Sequence, residues 1–392
     1  MPIVAGVDSS TQSVKVVLRD ADSGELVAST SRPHPDGSEV NPQHWWKALS
    51  EALDELSSHK ISAISIAGQQ HGMIALDKDG TVIRDALLWN DTRSDKAAED
   101  LNREIPDIAL RTGSQLVASF TASKVRWLVD SEKANANRVA AIALPHDWLS
   151  WKLSGAKSIE TLFTDRSDAS GTGYFDSRKN EYCLDILATA IRTNQEIILP
   201  KIIAPNQFGA TSTNSIPIAA GAGDNAGAAL GLGASLGDLV ISLGTSGTAF
   251  AISKSSTHDS SGEVAGFADA TGNFLPLACT LNAAKIFNTV AKSLSLSFEE
   301  FSSLALSAKV GAEGLRIIPH FDGERTPNKP SAKGSFYGIT HSNFTKENIA
   351  RASIEGVIAG MIYAAKAVER QGVSYSRILL IGGAAKNSAV QQ

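Results

Sequence analysis

The sequence predicts an α/β protein built from two duplicated halves, and three observations carry that expectation. Short β-branched runs alternate with amphipathic helical segments along the whole chain. An apolar strand, a small polar turn with one threonine and a returning strand occupy 3–18 and recur at 239–252, so that Thr245 stands 234 residues after Thr11. Between these repeats, residues 216–233 read IPIAAGAGDNAGAALGLG, a strand that breaks at glycines and passes into a helix. A spacing of that length marks duplication of a domain and not a solenoid repeat. Two such halves facing one another put their polar turns on opposite walls of a central cleft. The expected domains are 1–236 and 237–392.

Residues 3–7 are apolar, 8–13 (DSSTQS) are small and polar, and 14–18 return to strand character, with a third strand at 25–31. Such a turn converges backbone amides and hydroxyls on one point, which suits a phosphate, although a plain hairpin has the same composition. Residues 41–58 predict a helix whose apolar stripe is Trp45, Leu49, Ala52, Leu53 and Leu56. The run 61–67 reads as a buried strand ending in Gly68-Gln69-Gln70-His71-Gly72, and α/β proteins place ligand contacts at such strand ends. A hydrogen-bonded structural histidine is the alternative there. Residues 73–84 predict a hairpin with an Asp-Gly turn. The stretch LLWNDTR at 87–93 gathers Asn90, Asp91 and Arg93, apt either for hydroxyls or for capping the helix expected at 94–103.

Further helices are expected at 120–129, 146–153 and 182–192, a loop at 164–172, and irregular chain at 194–215 with Pro200 and Pro205 in it. In the central stretch, Gly221 and Gly223 permit a sharp turn and a close approach. Asp224 follows them as either a helix N-cap or a catalytic base. The second half offers strands at 239–243 and 249–252 around Gly244-Thr245-Ser246-Gly247-Thr248. Helices are expected at 281–292, 298–308 and 346–371, and a strand at 377–381 empties into Gly382-Gly383-Ala384-Ala385.

Composition narrows the function class. The chain has 392 residues, 43% hydrophobic and 20% charged, ordinary for a globular protein, and a net charge of −5. The absence of any Lys/Arg block argues against a nucleic-acid binder, and no apolar run reaches bilayer-crossing length. The two cysteines, Cys183 and Cys279, lie far apart without metal-ligand spacing, which predicts a reduced cytoplasmic protein without zinc or thiol catalysis.

Taken in order, VDSST, GQQHG, LLWNDTR, GAGDNAGAALG, SLGTSG, DGERTP and IGGAAK resemble the FGGY family of carbohydrate kinases over essentially the whole chain. That resemblance implies two ribonuclease-H-like domains of the actin and hexokinase type. GQQHG and WNDTR are most similar to the branch that phosphorylates pentuloses, D-xylulose above all. By resemblance, Asp224 is the base that takes the proton of the attacking sugar hydroxyl. Asp8 organises Mg2+, and Thr11 lies in the first phosphate turn. Gly244, Thr245, Ser246 and Gly247 form the second phosphate turn of the ATP site. Gln70, His71 and Asn225 contact the sugar, and Gly382 and Gly383 lie beside the adenosine. Dimers are frequent among such kinases, which makes a homodimer the expected assembly.

Two departures qualify these implications. The family's third glycine is Ala384 here, and family members continue with helices beyond the position where this sequence stops. Those differences predict weakened ATP binding and reduced stability. The alternatives are a kinase for ribulose, gluconate or another polyol, and a sugar-binding protein with an impaired nucleotide site.

Overall fold

The computed structural model describes residues 2–193 and 195–392; Met1 and Asn194, which begin two of the stretches read above, lie outside the described residues. The chain divides into two units, 1–233 with 267–273, and 234–266 with 274–392.

The first unit is organised on a seven-stranded sheet. In spatial order its strands are Phe208–Thr211, Pro217–Ala219, Ile61–Gly68, Ile3–Ser9, Ser13–Asp20 and Leu26–Pro33, with Ala222–Gly223 also pairing with Ile61–Gly68. The first three strands in sequence form an antiparallel meander, and Ile61–Gly68 returns parallel to Ile3–Ser9. Alternating Val14, Val16 and Leu18 put one sheet face wholly into the core. The helix Pro42–Glu55 covers that face with Trp45, Leu49 and Ala52. Its start is set by Asn41, whose side chain accepts the N–H of Gln43 at 3.0 Å, and by Pro42 at the first helical position. Trp45 and Trp46 pack against this core, as packing residues should.

The second unit carries a five-stranded sheet in the order Val264–Ala268, Phe274–Thr280, Gly247–Ala251, Asp238–Leu243 and Arg377–Ile381. Asp238–Leu243 is antiparallel to Gly247–Ala251 and parallel to Arg377–Ile381. The long helix Lys346–Arg370 supplies Val357, Met361, Ala364 and Val368 to its core, beside Phe287 and Phe301.

Three expectations need correction. Irregular chain was expected at 194–215, yet Lys201–Ile202 pairs with Phe163–Thr164 and Phe208–Thr211 joins the main sheet as its edge strand. Prolines at 200 and 205 flank these segments instead of entering them. The loop expected at 164–172 contains a one-turn helix, Arg166–Ala169, begun by the Asp165 carboxylate on the N–H groups of Ser167 and Asp168. In the hairpin expected at 73–84, Ile74–Leu76 pairs chiefly with Ala141–Ala143, while the second arm contributes only the bridge at Val82. Among the described residues no helix is long and apolar enough to cross a membrane.

Candidate active site

Three parallel strands of the first unit deliver their ends to one place. Ala67 pairs with Asp8 on one side and with Ala222 on the other. With strands ~4.8 Å apart, Asp8, the segment after Gly68 and the residues after Gly223 fall within about two strand spacings of each other. Ligands bind in α/β proteins at such carboxyl ends, where backbone groups stop pairing and side chains converge.

Asp224 is the first residue of the helix Asp224–Gly231, whose N-cap is Gly223. A capping carboxylate stands outside the helix and accepts the amides two or three residues on. Asp224 does neither: its Oδ1 accepts the N–H and the side-chain Nδ2–H of Asn225, at 2.8 and 2.9 Å. The capping alternative is therefore wrong, and the carboxylate is presented at the strand end. Burial pushes its pKa up to about 6, against the pull of the Asn225 amide and with a further push from Asp8. Asp8 keeps an exposed side chain, yet the protein gathered around it holds its carboxyl above the ordinary value, and Lys15 opposes that shift. Lys15 is its cross-strand partner.

The remaining first-unit candidates take more varied roles. Thr11 is tied within the protein, accepting from Trp89 Nε1 at 2.8 Å and donating to Gln69 Oε1 at 3.3 Å. Gln70 is only 5% exposed. Its amide donates to the Ser167 carbonyl at 3.1 Å, and its side chain lies where a Cβ on Gly223 would fall, 2.7 Å from Nε2. Gln70 thus braces the turn before Asp224, a role the motif alone did not reveal. His71 has a left-handed backbone (φ 70°), its Nδ1 lies 2.6 Å from the Gly171 carbonyl, and its ring packs on Phe120 and Phe267. The buried Lys124 donates to the His71 carbonyl at 3.0 Å, and burial pushes this amine down to about 7. Asp91 of LLWNDTR accepts from Ser38 and Arg93, a loop anchor that caps no helix.

Sequence reasoning missed the segment 164–172. Ser167 Oγ accepts the Gly223 N–H at 3.0 Å, its carbonyl accepts from Gln70, and Gly171 meets His71. These contacts use backbone groups and one small hydroxyl, so the residue types carried no chemical signal. The Asp at 165 ahead of a small-residue run was the one clue, as an N-cap pattern.

In the second unit, Gly244–Gly247 closes the turn between its first two strands, with Gly244 N–H donating to the Ser246 carbonyl at 3.0 Å. Thr245 is exposed and Ser246 half-buried. Gly247 is packed tightly, since a Cβ there would sit 2.4 Å from Met361 Sδ. Gly382 (φ 94°) lies under the Leu243 carbonyl, 2.4 Å from where its Cβ would be, so packing alone demands glycine. Gly383 faces open space. The DGERTP loop is anchored by the buried Glu324, which accepts from Leu281 N–H at 2.6 Å and Asn282 Nδ2 at 3.0 Å.

Residues 3–231 match the N-terminal domain of the FGGY family of carbohydrate kinases, and residues 239–392 match its C-terminal domain. A xylulose kinase of Streptomyces coelicolor is 41% identical over the whole of this chain and 82% of its own length. The crystal structure of xylulose kinase from Bifidobacterium adolescentis superposes with a TM-score of 0.91 at 42% identity, covering 100% of this chain and 87% of that one. A gluconate kinase from Lactobacillus acidophilus reaches a TM-score of 0.89 at 25% identity, covering 100% and 83%.

Proposed function

We propose, for a chain that belongs to the FGGY family of carbohydrate kinases and is an ATP-using sugar kinase, that it phosphorylates D-xylulose at the terminal hydroxyl with Asp224 as general base. The observation that carries this reading is the carboxylate of Asp224, released from capping and held at the shared end of three parallel strands. The sugar oxygen attacks the γ-phosphorus, its proton passes to Asp224, and the bond to ADP breaks. Phosphoryl transfer has a loose transition state, so the hydroxyl sheds its proton late and positioning supplies most of the acceleration. A carboxylate of raised basicity suits that step.

The donors fit a magnesium ion, a hard cation that prefers carboxylate oxygens. Asp8 offers an exposed carboxylate, and its charge helps to raise the pKa of Asp224, a repulsion that a cation would relieve. Asp8 would hold the ion, which when bound neutralises phosphate charge. His71 and Asn225 are assigned to the sugar, with Gln70 as the brace beneath them. Thr11 and the turn Gly244, Thr245, Ser246 and Gly247 are assigned to the phosphates, and Gly382 and Gly383 to the side of the adenosine. Neither Cys183 nor Cys279 is in a disulfide, in keeping with a cytoplasmic enzyme.

A second reading keeps the machinery and changes the acceptor, since a gluconate kinase shares the fold so closely. A coupled ADP-release assay over D-xylulose, D-ribulose, gluconate and glycerol separates the two, with Asp224→Asn as control. D-xylulose should lead in kcat/KM by at least about tenfold, a margin that pocket hydrogen bonds to hydroxyls readily supply. Turnover of gluconate above that of D-xylulose would move the assignment to the second reading.

A further inference from the structure

Behind the strand ends lies a fully buried charged cluster that the reaction does not use directly. His146, Asp147, Ser167 and Asp168 are 0% exposed and Asp165 is 3% exposed. His146 Nε2 lies 3.3 Å from Asp165 Oδ1 and 3.4 Å from Asp168 Oδ2, while Nδ1 lies 3.4 Å from Asp147 Oδ1. Burial alone would lower the basicity of the ring, but the three carboxylates outweigh it and push its pKa up to about 10. Neither oxygen of Asp168 has a hydrogen-bond partner among the described residues, and burial, with Asp147, Asp165 and Asp224 adding to it, holds its carboxyl well above the ordinary value against the pull of the ring. Asp147 and Asp168 approach different ring nitrogens. The imidazole therefore stands between them as the cation, in the place a shared metal ion would need.

His146 is also wedged between two backbone segments of the site, Gly68 against its Cβ and Gly221 against its ring. A Cβ on Gly68, where the strand leading to Gln70 and His71 ends, would fall 2.9 Å from His146 Cβ. A Cβ on Gly221, which has φ 83°, would fall 3.1 Å from His146 Cε1 and Nδ1. Asp165, one of the ring's partners, starts the helix that carries Ser167, by accepting the N–H of Ser167 at 2.7 Å and of Asp168 at 3.1 Å. Ser167 in turn accepts the N–H of Gly223, the residue before Asp224, and the amide of Gln70.

We infer that His146 is a positioning residue: its imidazolium, held by Asp147, Asp165 and Asp168, locks the Gly221–Asp224 turn and, through Asp165 and Ser167, sets where Asp224 presents its carboxylate. The inference rests on Asp224 as the base. It gives a use to a buried cation among carboxylates, a group whose apolar replacement is often no less stable. A misplacement of even about 1 Å at the base can cost on the order of 10²-fold in rate.

The test compares His146→Gln, His146→Lys, Ser167→Ala and Asp224→Asn with the parent in the full chain, using D-xylulose and Mg-ATP. Rates are taken per folded molecule, and bound metal is measured on the parent and H146Q. H146Q should lose about 10²-fold in kcat with the KM for ATP unchanged, and H146K, which restores the charge, should recover most of it. S167A removes one hydroxyl and should fold even if H146Q does not; it should lose roughly tenfold in kcat, again without a change in the KM for ATP. Parental kcat in S167A or H146Q while D224N is dead would overturn the positioning role and leave the base assignment intact. So would H146K no more active than H146Q, or a stoichiometric metal in the parent that H146Q lacks. A D224N enzyme with parental turnover would remove the base and this inference with it.

Discussion

The two units repeat one plan and carry different residues at its strand ends. Each has a first strand paired antiparallel with the second and parallel with a later one, Ile61–Gly68 in the first unit and Arg377–Ile381 in the second. In the first unit the sheet continues past that parallel strand into Pro217–Ala219 and Ala222–Gly223, and this continuation delivers Asp224. In the second, Arg377–Ile381 is the edge strand among the described residues. The turns differ as well. With Thr11 set on Thr245, Asp8 falls on Ser242, because both pairs are 234 residues apart. One copy carries the carboxylates and the other a neutral turn of glycines and hydroxyls. The comparison teaches that the duplicated scaffold fixes where a turn stands, while a few residues at its strand ends decide which chemistry it does.

The widest split between the copies should appear at the base. Asp224→Asn is expected to lower kcat by about 10²–10⁴-fold, read in the coupled assay. The paired substitutions Asp8→Asn and Ser242→Ala sharpen the contrast between the turns: the first should cost about 10²-fold in kcat and alter the magnesium dependence, the second less than about threefold. Thr245→Ala should raise the KM for ATP by roughly tenfold and leave that for the sugar unchanged, since a lost hydrogen bond to a charged group is worth about 1.5–3 kcal/mol. Equal effects at Asp8 and Ser242 would break the comparison.

Smaller effects concern stability. Gly382→Ala forces a side chain onto the Leu243 carbonyl and should cost about 1–3 kcal/mol in urea unfolding, whereas Gly383→Ala should cost little. The Asp224 carboxyl has a folded pKa raised from 3.8 to about 6, so the folded state holds the proton more tightly than the unfolded chain. Its contribution is present below the unfolded value and is lost as pH rises through the folded one. Asp224→Asn should therefore gain stability relative to the parent as pH rises from about 4 to about 6, by on the order of 1–3 kcal/mol, seen as a higher Tm.

Much of this was legible in residues whose type is dictated by backbone or charge. Gly221 announced its turn because only glycine tolerates its φ beside the Ile66 carbonyl, and Asn41 with Pro42 announced a helix start. The strand-turn-strand repeat was visible because small polar residues interrupt β-branched runs at matching places. What stayed hidden was pairing between segments distant in sequence. Phe208–Thr211 is an edge strand whose partner, not its composition, makes it a strand. Gln70 reads as a ligand residue until Ser167 is seen accepting its amide, 97 positions away. The buried imidazolium needs carboxylates from 147, 165 and 168 to converge, and no local pattern encodes that.

The most direct measurement of the central claim is kcat for D-xylulose and the sugar's Kd, taken together for the parent and Asp224→Asn at saturating Mg-ATP. A carboxylate that takes the hydroxyl proton predicts a fall in kcat of at least about 10²-fold with sugar affinity within about threefold of the parent. Retention by the variant of more than about a tenth of parental turnover would contradict it.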